Sequence, residues 1–243
     1  MNLVIEQGNS TTKAAIFSEE KLVDSFVFHK FNPAVFQALH NQFPVQRSIF
    51  STVRDLSDDL TAYLSENRAD ILTLSHETPL PIRLAYDTPE TLGKDRIAAV
   101  AGANYLQPRK NALIIDAGTA ITFDFIDATG LYHGGNISPG MTTRFRALHE
   151  YTSKLPLLSE SEQTPMIGKS TVTAIQAGVT NGIIFEINGY IDYFKGLYPD
   201  LFVFLTGGHS FYFERRLKSS IFADVNLVLM GLNRILNYNV EKE

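Results

Sequence analysis

Two short stretches of this sequence share a pattern of residues that could bind a ligand or take part in a reaction. In each, an acidic residue ends an apolar run, and a glycine follows two positions later. In the first stretch these residues are Glu6 and Gly8, and in the second they are Asp116 and Gly118. A carboxylate at a strand end, beside a turn that lacks a Cβ atom, allows a phosphate group or a metal ion to approach the backbone closely. One such stretch fits a simple hairpin with an acidic turn equally well. Two in the same register, about half a chain apart, indicate an internal duplication.

Hydroxyl side chains follow both glycines. Thr12 comes six positions after Glu6, and Thr122 comes six positions after Asp116, so the two stretches align residue by residue. Paired strand–turn–strand elements can hold a triphosphate through backbone N–H groups and threonine hydroxyls, while their carboxylates hold cations directly or through water. A third glycine turn, at 205–210, follows an apolar run and offers its backbone to an adenine ring. The sequence contains neither a GxxxxGK[ST] phosphate loop nor a GxGxxG dinucleotide turn after a strand.

A charged run marks the start of a predicted helix. Gly93, Lys94, Asp95 and Arg96 precede an alanine-rich segment that predicts a buried helix over 95–105. The N–H groups and the dipole of a helix N-terminus favour anions. In isolation, however, Asp95 and Arg96 are better explained as a helix cap and a surface charge.

Composition bounds the class of protein. The net charge of −5 and the pI near 5.7 argue against a nucleic-acid partner. Cysteine is absent, which excludes disulfides, thiolate metal sites and a cysteine nucleophile, and the histidines show no metal-ligand spacing. The first residues do not read as a signal peptide, and no apolar run approaches the roughly 20 residues that span a bilayer. We therefore expect a cytoplasmic globular protein with no nucleic-acid or membrane partner.

The hydrophobic pattern predicts a mixed α/β protein in which a strand meander opens each half and alternating helices and strands follow. The predicted strands are 2–6, 12–17, 22–28, 46–51, 71–74, 131–133 and 201–205, together with the strand–turn–strand at 113–125. The predicted helices are 33–42, 56–66, 95–105, 141–151, 171–196 and 226–237. The glycines and the proline of 134–140 predict a loop. Two similar lobes, residues 1–110 and 111–243, would then face each other across a cleft that holds the acidic glycine turns.

Taken in order, the motifs resemble those of the type III pantothenate kinases, within the sugar kinase/actin/heat-shock ATPase superfamily. EQGNSTTK (6–13) resembles the first phosphate motif of that family and DAGTAIT (116–122) the second. TPETLGKDR (88–96) resembles the pantothenate-binding stretch and GGNISPG (134–140) the glycine loop. GKST (168–171) is similar to the later substrate threonine motif and TGG (206–208) to the adenosine turn. The resemblance covers nearly the whole chain, and the set of motifs is specific although each alone is weak.

The resemblance implies two ribonuclease-H-like lobes, each a mixed sheet with helices. It implies phosphoryl transfer from ATP to the primary hydroxyl of pantothenate, giving 4'-phosphopantothenate in the first step of coenzyme A synthesis. It further implies a divalent cation (Mg²⁺), a monovalent cation (K⁺ or NH₄⁺), and a homodimer in which the threonine of the later helix completes the substrate site of the neighbouring subunit.

Residue roles follow by matching positions. The resemblance implies that Asp95 is the catalytic base and that Asp116 is the monovalent-cation ligand. The substrate-binding residues that it implies are Tyr86, Gly93, Lys94, Asp95, Arg96 and Thr171. The ATP-binding residues that it implies are Glu6, Gln7, Gly8, Asn9, Ser10, Thr11, Thr12, Lys13 and Thr119. The family usually has Asp at the first acidic position; Glu6 reaches one methylene further, so metal coordination there would be looser or through water.

Simpler explanations stand beside these roles. Thr171 also fits a helix N-cap, Lys13 an edge-strand lysine, and Tyr86 ordinary packing. Within the same fold, the alternative is a paralogue that has lost catalysis and acts as a regulatory or accessory protein. Damage to the acidic and glycine positions would indicate it, and only Glu6 departs from the pattern. A sugar or acetate kinase on this scaffold would lack the TPETLGKDR stretch.

Overall fold

The computed structural model describes residues 1–67 and 70–241, which form two compact units. Unit 1 consists of Met1–Arg109, Ile126–Gly134 and the chain from Asn226 onwards, and unit 2 consists of Lys110–Phe125 and Gly135–Val225. The strands are β1 (Asn2–Gln7), β2 (Thr12–Ser18), β3 (Lys21–Phe28), β4 (Arg47–Thr52), β5 (Ile71–Thr73), β6 (Arg83–Leu84), β7 (Ala112–Ala117), β8 (Ala120–Ile126), β9 (Leu131–Pro139), β10 (Phe202–Thr206) and β11 (Phe222–Ala223). The helices are α1 (Pro33–Gln42), α2 (Asp58–Glu66), α3 (Lys94–Leu106), α4 (Met141–Glu150), α5 (Thr171–Leu197), α6 (Ser210–Glu214) and α7 (Leu227–Val240). The expected lobe boundary between residues 110 and 111 stays a prediction.

Unit 1 is built on a mixed sheet of order β3-β2-β1-β4-β5. Strands β1 to β3 form the predicted antiparallel meander, and β4 and β5 add to it in parallel. The apolar run Leu3–Ile5 of β1 is fully buried, as expected of a central strand covered on both faces. Helix α1 begins as predicted, because Asn32 Oδ1 accepts a hydrogen bond from the Val35 N–H and Pro33 occupies the first position.

Unit 2 contains the second predicted strand–turn–strand, β7 and β8, in the hydrogen-bonded order β11-β10-β7-β8-β9. The long helix α5 packs against this sheet, and Ile183, Ile187 and Ile191 are completely buried in the core of the unit. Phe123 of β8 stacks on Tyr190 of α5 with ring centroids 4.0 Å apart. Isoleucines spaced by four residues lie on one face of a helix, which agrees with the helix predicted over 171–196.

The predicted loop at 134–140 is wrong, because strand β9 runs through it to Pro139. Its glycines do not break the strand; they allow close packing. A Cβ atom on Gly135 would lie 2.0 Å from the Phe123 carbonyl oxygen, and one on Gly140 would lie 2.2 Å from the Gly118 carbonyl oxygen. Glycine in a strand often marks such a close approach of another backbone, and the sequence pattern alone could not distinguish this from a loop.

The described helices of residues 1–67 and 70–241 include none with the length and apolar content needed to cross a membrane.

Candidate active site

The first acidic turn joins β1 to β2 in unit 1. The strand register pairs Glu6 with Lys13 and Gln7 with Thr12, and the Gly8 N–H donates to the Thr11 carbonyl at 3.0 Å to close the turn. Asn9 and Ser10 lie exposed at its tip. The predicted ATP residues 6–13 are therefore gathered in one hairpin, whose short turn presents backbone groups next to a carboxylate.

Two charged side chains, Lys13 and Asp95, act on the Glu6 carboxyl of this hairpin. Burial raises the pKa of this carboxyl above the ordinary value, Lys13 lowers it, and the charge of Asp95 raises it further. Gly8 makes room for this carboxylate, since a Cβ there would lie 3.1 Å from Glu6 Oε1. Lys13 therefore acts on a partly buried carboxylate, and its strand β2 lies between β1 and β3, so the alternative of an edge-strand lysine is wrong. The charge of Asp95 acts on the same carboxyl.

Asp95 stands in the first turn of α3, where the sequence predicted it. Its Oδ1 accepts a hydrogen bond from the Arg96 N–H at 2.8 Å, which orients the carboxylate at the helix N-terminus. Gly93, the residue before the helix, leaves room for this carboxylate: a Cβ atom on it would lie 2.6 Å from Asp95 Oδ1 and would displace the Asp95 side chain. Asp95 thus accepts one N–H of the first helical turn, and its charge also acts on the Glu6 carboxyl.

Arg96 and Tyr86 meet beside this helix start. Arg96 is only 5% exposed, and its guanidinium carbon lies 5.8 Å from the centre of the Tyr86 ring, within the range of a cation–π contact. The Tyr86 ring is nearly parallel to that of Tyr132, with centroids 6.3 Å apart. Gly134, at φ +99°, leaves room for the Tyr86 ring, because its Cβ would approach that ring to 3.2 Å. Sequence reasoning missed Tyr132 and placed Gly134 only in the glycine-loop motif, since nothing in their local pattern ties them to Tyr86.

The second acidic turn lies in unit 2 at the end of β7. Asp116 pairs with Thr206 of the parallel strand β10, and its Oδ1 is flanked by two glycines. A Cβ atom on Gly118 would lie 3.3 Å from this oxygen, and one on Gly207 would lie 2.4 Å from it. The second and third glycine turns, for which separate roles were expected, thus meet at one carboxylate.

The turn around Thr119 is held by the start of α4. The Thr119 carbonyl accepts hydrogen bonds from the Gly140 N–H at 3.0 Å and from Thr143 Oγ1 at 2.7 Å. The His209 N–H donates to the Ala117 carbonyl at 3.0 Å on the other side. Thr143 is a supporting residue that the sequence did not reveal, because its partner lies in a distant segment.

Thr171 is the first residue of α5 and is exposed. The N-cap is Ser170, whose hydroxyl accepts from the Thr173 N–H at 3.2 Å as part of a capping box. The alternative that Thr171 itself caps the helix is therefore wrong. Its hydroxyl is not needed to start the helix.

Metal-ligating side chains are not clustered in the part of the chain that the structure describes. Within residues 1–67 and 70–241, no group of three or more His, Asp or Glu side chains is arranged to hold a metal ion. The cation predicted at Asp116 stays a prediction. A divalent site made entirely of carboxylates is not formed by these residues.

Comparison with known proteins gives a consistent result. A sequence profile for the family described as type III pantothenate kinase matches residues 2–193. A type III pantothenate kinase of Phocaeicola vulgatus is 52% identical over 239 residues, covering 98% of this chain and 99% of the relative. One from Bacteroides fragilis is 49% identical over 241 residues, covering 98% of each.

A solved structure from Campylobacter jejuni, described as a Baf family transcriptional activator, aligns with a TM-score of 0.66 at 23% identity. The alignment covers 98% of this chain and 99% of that one. At this identity the likeness concerns the fold alone. The predicted mixed α/β architecture with two sheets is confirmed.

Proposed function

This chain belongs to the type III pantothenate kinase family, the ATP-dependent kinases of the first step of coenzyme A biosynthesis, and we propose that Asp95 is the catalytic base of that reaction. The observation that supports the proposal is the effect of the Asp95 charge on the Glu6 carboxyl of the first acidic turn, within unit 1. A phosphoryl acceptor and a phosphate-binding turn must be neighbours for transfer to occur. An electrostatic interaction between the start of α3 and the β1–β2 hairpin is what such an arrangement requires.

Phosphoryl transfer does not require a strong base. Phosphoryl transfer passes through a loose transition state, so positioning and charge neutralisation matter more than base strength. Asp95 would accept a hydrogen bond from the primary hydroxyl of pantothenate and take its proton late in the transfer. Its own hydrogen bond from the Arg96 N–H fixes the carboxylate for that task.

Pantothenate carries a carboxylate, and we propose that Arg96 and Lys94 bind it or a neighbouring phosphate. The Arg96 side chain is buried against Tyr86, so its guanidinium is held in place before the substrate arrives. A buried, oriented guanidinium binds a carboxylate better than a solvated one, because less side-chain freedom is lost. Tyr86 and Gly93 complete the set of proposed contacts in unit 1.

For ATP, we propose that the turn residues 6–13 bind phosphate oxygens in unit 1 and that Thr119 does so in unit 2. Lys13 would neutralise phosphate charge next to the buried Glu6 carboxylate. ATP supplies the transferred phosphoryl group. The exposed residues Asn9 and Ser10 leave the backbone of the first turn accessible.

The cations belong to the same proposal. Magnesium prefers six oxygen ligands in near-octahedral geometry and keeps several waters, so it should be carried mainly by the phosphates, with Glu6 as a water-mediated contact. We assign potassium or ammonium to Asp116, because a carboxylate next to the ATP phosphates would be repelled by them unless a cation lies between. The cytoplasm, which holds both ATP and potassium, is the proposed location.

A homodimer is the proposed assembly, with Thr171 reaching the substrate site of the partner. Helix α5 exposes large apolar side chains along one side, including Val172, Phe185 and Tyr193 at 43%, 60% and 64% exposure. Beside them lies a groove of about 940 Å³ lined by Met166, Ile184 and Phe185 among others. Apolar surface of this kind commonly marks a protein–protein interface.

The test is a coupled assay of ATP consumption with pantothenate, pantetheine and glucose as acceptors, in potassium and in sodium buffers. We expect pantothenate-dependent turnover, and a fall in kcat of roughly 10²-fold or more for Asp95→Asn, the range that a general base contributes. The Km for ATP should change little. A wild-type kcat in Asp95→Asn would refute the role of Asp95, and a wild type inactive on all three acceptors would favour the regulatory paralogue.

A further inference from the structure

The C-terminal helix α7 crosses α3 backbone against backbone in unit 1, at two glycines. A Cβ atom on Gly231 would lie 1.7 Å from the Ala98 carbonyl oxygen and 2.9 Å from the Gly102 nitrogen. A Cβ atom on Gly102 would lie 2.5 Å from the Leu227 carbonyl oxygen. Real Cβ atoms are not found this close to backbone atoms, so the crossing exists only because both positions lack a side chain.

Helix α7 is fixed on its other side by a polar network. Asn2 Nδ2, at the start of β1, donates to Asn233 Oδ1 and Asn237 Oδ1, both at 2.8 Å. Asn237 Nδ2 donates to Glu20 Oε1 at 3.0 Å, and Asn233 Nδ2 donates to the Glu19 carbonyl at 2.9 Å. Asn233 is 1% exposed, so breaking these bonds would leave buried polar groups unpaired, which costs more than an ordinary hydrogen bond.

Strand β1 and helix α3 therefore share α7 as a common support. Glu6 lies towards the far end of the strand whose first residue is held by α7, and Asp95 lies one turn before Ala98 on the helix that Gly231 contacts. Helix α3 contributes mostly alanines around the crossing. It therefore has few large side chains that could pack between those of α7 and fix the distance between the two helices. The distance between α3 and α7 is therefore set by how closely their two backbones approach.

We propose that Gly231 is a positioning residue for catalysis, which places Asp95 relative to the first acidic turn by allowing α3 to rest directly on α7. This inference rests on the proposed role of Asp95. A methyl group on Gly231 must move Ala98 away, since an ordinary contact requires at least 3.4 Å where 1.7 Å is available. Because α7 is tied to β1 and the β2–β3 turn, α3 is the element that moves, and Asp95 moves with it.

The expected size follows from the displacement. A misplacement of about 1 Å of a catalytic group can lower a rate by roughly 10²-fold. We expect Gly231→Ala to lower kcat by roughly 10- to 100-fold. The Km for ATP should stay within about twofold of wild type, because the residues of the β1–β2 turn do not lie on α3.

A double-mutant cycle separates positioning from general damage. If Gly231 acts through Asp95, adding Gly231→Ala to Asp95→Asn should lower kcat by less than about twofold further, since the group it positions is already gone. The matched control is Gly182→Ala in the middle of α5, where the nearest atom to the added Cβ, Arg144 Nη1, is 3.8 Å away. Its kcat should equal that of wild type.

The outcomes are distinct. Wild-type kcat in Asp95→Asn defeats the proposed function itself. Two other results, each with a lowered kcat in Asp95→Asn, overturn the positioning role alone. One is a Gly231→Ala variant whose kcat equals that of the unmodified protein. The other is a loss of kcat from Gly231→Ala that is equally large with Asp95 and with Asn at position 95. Circular dichroism and Tm establish that each variant is folded. If Gly231→Ala does not fold, Gly102→Ala tests the same crossing with a milder contact, and failure of both to fold would show that the crossing serves stability and overturn the inference.

Discussion

Gly207 is the position at which one added methyl group should report directly on the geometry of the second acidic turn. Its φ is +92°, and a Cβ atom there would lie 2.4 Å from Asp116 Oδ1 and 2.6 Å from the Ala117 carbonyl carbon. A positive φ costs a residue with a Cβ atom ~1–2 kcal/mol, and forcing atoms apart in a packed region costs ~1–3 kcal/mol. Gly207→Ala should therefore lower the free energy of unfolding by roughly 2–5 kcal/mol. For a chain of this size, that corresponds to a fall in Tm of roughly 4–20 °C.

Alanine substitutions at two nearby glycines, Gly208 and Gly118, allow the losses of Tm to be ranked against that of Gly207→Ala. At Gly208 an added Cβ meets nothing within 4 Å, and at Gly118 it would lie 3.3 Å from the same Asp116 oxygen. Differential scanning calorimetry of the three alanine variants should rank the loss of Tm as Gly207 first, Gly118 second and Gly208 last, with Gly208→Ala close to wild type. Calorimetry also shows whether the two units unfold in separate transitions. Equal Tm values for Gly207→Ala and Gly208→Ala would refute the close approach of Gly207 to Asp116.

Two further predictions address charge and assembly. Burial raises the pKa of Glu6 above its unfolded value of 4.5, so its ionised form at pH 7 opposes folding. Glu6→Gln should therefore raise Tm at pH 7. The gain should shrink as the pH falls towards 4.5 and vanish well below it, where the carboxyl is protonated in both the folded and the unfolded state. A gain that is independent of pH, followed in thermal melts between pH 4 and 8, would contradict this. If the active unit is a dimer with Thr171 supplied across the interface, inactive Asp95→Asn and Thr171→Arg proteins should regain activity when mixed, because one hybrid site has both residues intact. No recovery after subunit exchange verified by mass spectrometry would mean that each site is self-contained.

The parts of the fold that sequence reasoning predicted are those governed by local chemistry. The N-terminal meander, the cap at Asn32 and the two acidic strand–turn–strand elements all follow from spacing within a few residues. The helix that carries Asp95 was predicted for the same reason, since its alanine-rich run has a clear beginning. The grouping of residues 6–13 in one hairpin then needed only the strand pairing of β1 with β2.

What could not be predicted depends on partners distant in sequence. The glycines at 134–140 suggested a loop, whereas their role is to let β9 lie against Phe123 and the turn at Gly118. The meeting of Gly207 with Asp116 arises from the pairing of β10 with β7, which no local pattern encodes. A glycine in a sequence indicates a close contact or a backbone conformation that other residues rarely adopt. It does not indicate which atom makes the contact.

The composition of unit 1 has a consequence for the order in which the protein is made. Its sheet and α3 are synthesised before most of unit 2, but α7, which covers Ala98 and Gly102, belongs to the chain from Asn226 onwards and is synthesised after unit 2. Unit 2 ends at Val225 and has all of its segments earlier. Although domains generally fold in order from the N-terminus during synthesis, here the later unit is the first to be complete. Until α7 has been synthesised, α3 lacks the helix that covers Ala98 and Gly102 in the folded protein, so unit 1 cannot complete its packing.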